Sequence, residues 1–115
     1  MTMSKAKTTL TATVALLAAL STAPVHAWAD DPVLVAQDSA RMAGGARYCK
    51  ADEELVDEYI GRSEGKLRAL AKDEYEKVVL QIEFKNLMTA ASAKEPEGGC
   101  KAFLPLFEQA VKSER

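Results

Sequence analysis

Two cysteines, Cys49 and Cys100, are the only ones in a chain of 115 residues, and they stand behind an N-terminal segment patterned like an export leader. Lys5 and Lys7 form a basic start, Leu10 to Leu20 is an apolar stretch, and Pro24 leads into two small-residue sites, Val25-His26-Ala27 and Ala27-Trp28-Ala29. This is the three-part layout of a secretory signal peptide. Residues 1–29 are therefore read as the signal peptide, cleaved after Ala27 or Ala29, and residues 30–115 as a single helical domain. The apolar stretch is shorter than the ~20 residues that span a bilayer. No later segment is long or apolar enough, so no membrane span is expected in the mature chain. The alanine-rich leader points to the bacterial periplasm. In an oxidising compartment an isolated pair of cysteines is most simply one disulfide. Such a bridge constrains the fold strongly, because it closes a loop of about 50 residues.

Removing the leader changes the charge and chemistry of what remains. Two of the 15 lysines and arginines, Lys5 and Lys7, leave with it, while all 17 acidic residues stay. The formal charge moves from −2 to −4, and the only histidine, His26, is lost. A net acidic domain without clustered cations argues against nucleic acid as a partner. The absence of histidine removes imidazole acid–base chemistry and histidine-ligated zinc. No Gly-rich phosphate loop, G-x-S-x-G elbow or H-E-x-x-H motif is present. A carboxylate pair could cleave glycosides, but a bundle this small leaves little room for a cleft. The expectation is a non-enzymatic protein with no organic cofactor.

The pattern is all-α, an up-down bundle of three to four helices with one disulfide. Asp30-Asp31-Pro32 is a helix-start signal, with Asp38-Ser39 a second possible cap. Gly44-Gly45 is expected to interrupt this first helix, leaving residues 32–46 loosely held. Asp52 caps the next, about 52–72, with Leu55, Val56, Tyr59, Ile60, Leu67 and Leu70 as its apolar stripe. Gly61 and Gly65 lie away from that stripe. Asp73 starts a third helix to about residue 92, apolar on two sides. Tyr75, Val78, Val79 and Ile82 share one face, and Leu80, Phe84, Leu87, Met88 and Ala91 the other. Such a helix either sits in the middle of a bundle or docks its second face onto another subunit. Residues 93–99, polar and rich in Pro and Gly, read as a loop before a last helix at about 101–113. In it Pro105 is close enough to the start to be tolerated. Alternating directions place the starts of the second and last helices at one end, which suits a Cys49–Cys100 bridge.

Carboxylates are the only concentrated polar chemistry. Five acids fall within Asp52 to Glu58, and Glu54, Asp57 and Glu58 share one helical face. Glu83 lies between Ile82 and Phe84, and Glu76 stands seven residues before it. Hard cations such as calcium or a lanthanide take six or more oxygen ligands, so Glu54, Asp57, Glu58 and Glu83 are the candidate metal ligands. The competing reading of the same residues is dipole complement and solvated surface.

The leader, Cys49, the run Asp52-Glu53-Glu54-Leu55-Val56-Asp57-Glu58-Tyr59, the segment Glu83-Phe84-Lys85-Asn86 and Glu97-Gly98-Gly99-Cys100 together resemble small, exported, disulfide-stapled helical proteins of alphaproteobacteria. Among these they resemble the landiscernin-like lanthanide-binding proteins. That resemblance implies lanthanide binding coupled to homodimer formation. The chain also resembles periplasmic acid-stress chaperones, which are helical, similar in mature size and held by one disulfide. As a chaperone it would swing from −4 to about +13 on full acidification. A passive binding module for another envelope protein is the third alternative.

Overall fold

A computed structural model describes residues 31–113; the signal segment and its two cleavage sites lie outside the described residues. Four helices follow one another: α1 (Pro32–Tyr48), α2 (Glu53–Leu70), α3 (Glu74–Ala91) and α4 (Cys100–Ser113). No strand occurs among the described residues, and the class is all-α as expected.

Three of the four helices start on an aspartate, for the same local reason. The first backbone N–H groups of a helix have no intrahelical acceptor, and a short carboxylate one residue before the helix supplies it. Asp31 Oδ1 accepts from the Val33 N–H at 2.9 Å, Asp52 Oδ1 from that of Glu54 at 2.9 Å, and Asp73 Oδ1 from that of Glu76 at 2.8 Å. Asp38, the other possible cap, is inside α1 and pairs with Arg41 on the surface. The fourth helix opens on Cys100 directly after Gly98 and Gly99, whose φ values of 82° and 83° turn the chain where side-chain-bearing residues would be strained. Pro105 is therefore the sixth residue of α4, deeper than the first turn, and the helix continues through it.

The first helix overturns two expectations. It runs unbroken through Gly44-Gly45 to Tyr48, and it packs on each of the other three helices. Its buried face is Ala36, Ala40, Ala43, Gly44, Gly45 and Ala46, with no large side chain. A surface that bare lets neighbouring helices approach closely. A Cβ on Gly44 would stand 2.5 Å from Ala91 Cβ and 2.6 Å from Met88 O; one on Gly45 would stand 2.7 Å from the Phe103 ring. The two glycines cost about 1 kcal/mol each in helix propensity, and the contacts they allow to α3 and α4 offset it. They are packing residues, and not a break.

Pro32 and Val33 of α1 lie by Tyr75 and Val79 at the start of α3, and Gly44 lies by Met88 and Ala91 near its end, so α1 and α3 run parallel. Their contact is the most extensive in the fold. The helix α1, and not α3, is the central one. On its other sides stand α2 and α4, parallel to each other, with the Cys49–Cys100 disulfide tying the end of α1, just before α2, to the start of α4 across a Cα separation of 5.4 Å. Tyr59 meets Phe107 edge-on at 5.7 Å, and Phe107 stacks with Phe103 at 6.4 Å. Phe84, Phe107, Leu80 and Val111 are the largest fully buried side chains. The helices α3 and α4 do not pack on each other. A disulfide-bonded chain belongs in an oxidising compartment, and no helix among the described residues is long and apolar enough to cross a membrane.

Candidate functional site

Because α1 covers α3 from one side only, the second apolar face of α3 is left open. Leu80, Phe84 and Met88 point into the core, whereas Tyr75 is 79% exposed, Val78 and Ile82 54%, and Val79 44%. Residues 75, 78, 79 and 82 repeat at helical spacing and form one continuous stripe. Across a shallow concavity of about 500 Å³ stands Val33 of α1, itself 46% exposed. Taken together these five side chains form one contiguous apolar patch, a feature that is often functional in single-chain proteins.

Polar groups border this face unevenly. The concavity is lined by Asp31, Asp73 and Glu76 against a single cation, Lys72. Asp31 and Asp73 are already engaged as helix caps. The Glu76 carboxylate is different, because its Oε1 is shielded from solvent and no hydrogen-bond donor among the described residues reaches it. Buried carboxylate oxygens nearly always have a partner in folded proteins. Helical geometry sets Glu83 about 20° from Glu76 around α3, so the two form one acidic border of the stripe. This border was legible in part from the sequence, as two acids seven residues apart. The role of Val33 was not, because it depends on α1 running parallel to α3.

The expected cation ligands are dispersed. Glu54 and Asp57 are exposed on α2, opposite its buried residues Val56, Tyr59, Ser63 and Leu67. Glu58 on the same face is drawn into an ion pair with Arg62. That guanidinium also donates through Nη1 to the Val111 carbonyl at 2.8 Å, tying α2 to the last turn of α4. Glu83 belongs elsewhere. The side of α3 that meets α2 carries Lys77 and Gln81, which share a small cleft with Glu64, Leu67 and Arg68. Glu83 lies about 160° around the helix from Gln81. Among the described residues no group of three or more acidic, cysteine or histidine side chains comes together that could hold a metal ion. The cysteines are both in the disulfide.

Sequence reasoning missed Ser63. It is buried on the core side of α2, and its hydroxyl donates to the Tyr59 carbonyl at 2.8 Å, which satisfies it without a distant partner. Leu55, Ile60 and Leu70, read as part of the core stripe, are only half-buried at its margins.

Comparison with family models, with curated proteins and with solved structures found no match.

Proposed function

We propose that this chain is a non-enzymatic periplasmic binding protein that works by docking another protein on the outer face of α3. The uncovered stripe of Tyr75, Val78, Val79 and Ile82 carries this reading. A helix that needed only to pack on α1 would gain nothing from four large apolar side chains turned to water, and such exposure invites aggregation unless something covers it.

A photo-crosslinking residue placed at Ile82 tests it in the exported protein within its host. Adducts to another polypeptide are expected at position 82 and not at Gly61, an exposed site on α2 with nothing within 4 Å of its would-be side chain. Equal labelling at the two positions, or none at either, overturns the docking reading.

A second reading rests on the exposed pair Glu54 and Asp57, which no ion pair with another described residue occupies. With Glu58 released from Arg62, they would present three carboxylates to calcium or a lanthanide, the remaining ligands coming from a second chain. On this reading micromolar lanthanum binds the oxidised protein, increases its sedimentation rate, and is lost in the double variant Asp57→Asn with Glu58→Gln. Absence of binding at that concentration overturns it.

A further inference from the structure

We propose that the α3 face receives an amphipathic basic helix of a partner protein, and that one lysine or arginine of that helix enters the concavity to bond the Glu76 carboxylate. This deepens the docking reading and rests on it. The shape of the site selects a helix. Tyr75, Val78, Val79 and Ile82 form a narrow apolar row on consecutive turns, flanked by polar residues, and a row of this kind is matched by the apolar side of another helix. Charge then selects a basic one. The border formed by Glu76 and Glu83 is acidic, and within the concavity only Lys72 opposes three carboxylates. Asp31 and Asp73 spend theirs on helix caps, which leaves Glu76 with an oxygen that no described donor reaches. A lysine or arginine on the rim of an apolar helix meets both demands. Its methylene stem lies along Val79 and Val33, and its charged end meets the carboxylate in a charge-assisted hydrogen bond once the Glu76 side chain, whose Oε1 is closed to solvent in the unbound fold, turns into the concavity.

A second copy of this chain fits less well. Pairing two molecules antiparallel, about a two-fold axis perpendicular to α3, sets each border against its own equivalent. Glu76 and Glu83 would then meet Glu83 and Glu76 of the other copy, like charges across a closing interface. A partner with cations at that edge reverses the sign.

The test uses the full exported, oxidised protein and two synthetic helical peptides, one of leucine and lysine and one of leucine and glutamate, with the same apolar pattern. Calorimetry is expected to show binding of the lysine peptide and at least tenfold weaker binding of the glutamate peptide. Glu76→Gln should weaken the lysine peptide about tenfold, the loss of one charge-assisted bond. Glu54→Gln, which removes the same charge from α2, should leave it unchanged. Val79→Asp with Ile82→Asp should abolish binding while the circular dichroism of the protein is retained, since both side chains are about half exposed. Equal affinity for the two peptides, or indifference to Glu76→Gln, overturns the assignment of a basic partner. If crosslinks at position 82 persist in that case, the docking reading survives without it. Binding that ignores Val79→Asp with Ile82→Asp is diffuse charge attraction and overturns the inference. An α3-dependent dimer in sedimentation without peptide overturns it in favour of a second copy.

Discussion

Replacing Gly44 with alanine is expected to destabilise the protein by about 2–3 kcal/mol, whereas the same replacement at Gly61 stabilises it by about 1 kcal/mol. Both glycines are helical, so both gain the propensity of alanine. The difference lies in what each new methyl meets. At position 44 it would fall 2.5 Å from Ala91 Cβ and 2.6 Å from the Met88 carbonyl oxygen, and a backbone atom cannot rotate aside. Accommodating it forces α1 and α3 apart along their most extensive contact, loosening Leu80, Phe84 and Met88 together. At position 61 it meets nothing within 4 Å. Urea unfolding of the two single variants checks the pair. Equal effects, or a stabilised Gly44→Ala, would show that α1 is held less closely than the structure has it. A larger residue at Gly44 is expected to prevent folding, because α1 touches every other helix.

Replacing both Cys49 and Cys100 with alanine is expected to remove about 4 kcal/mol in the chain-entropy account of a loop closed across some 50 residues. For a domain of this size that lowers the melting temperature by on the order of 15–30 °C. The bridge joins the end of α1 to the start of α4, with α2 and α3 wholly inside the closed loop. The helix α4 depends on it most. It packs on α1 and α2 but not on α3, and beyond the disulfide its anchors are Phe103, Phe107, Val111 and the Arg62 bond to the Val111 carbonyl. Thermal unfolding of the oxidised protein and of the double variant measures the difference, and hydrogen exchange shows whether α4 opens first. A loss below 1 kcal/mol would mean that the Phe103 and Phe107 packing alone holds the helix in place.

These two variants also divide what each level of information could say. Asp31, Asp52 and Asp73 were readable as helix starts because a cap and the N–H groups it satisfies lie within three residues of each other. The Pro- and Gly-rich loop before Cys100 was readable for the same reason, as its turns depend on its own residues. The cysteine pairing followed from the leader, the even count and the alternation of helix direction. The all-α class followed from the 3.6-residue period of the apolar positions.

Gly44-Gly45 was misread as a break because glycine has two opposite meanings in a helix, weakness by itself and space beside a neighbour. Only Ala91, Met88 and Phe103, distant in sequence, decide between them. The two apolar faces of α3 were visible in the sequence, but which one the core would take was not. Once the alanine face of α1 draws α3 close along its whole length, Leu80, Phe84 and Met88 are covered and Tyr75, Val78, Val79 and Ile82 are left outside. The cluster from Asp52 to Glu58 was equally visible, but where Glu83 stands relative to it was not, because that depends on which side of α3 meets α2. The sequence by itself determined the helices, their caps and the bridge, since these rest on contacts local along the chain or on a single pair of sulfurs. The tertiary structure alone decided which helix is central and which apolar face stays in water, because that depends on how closely two backbones can approach.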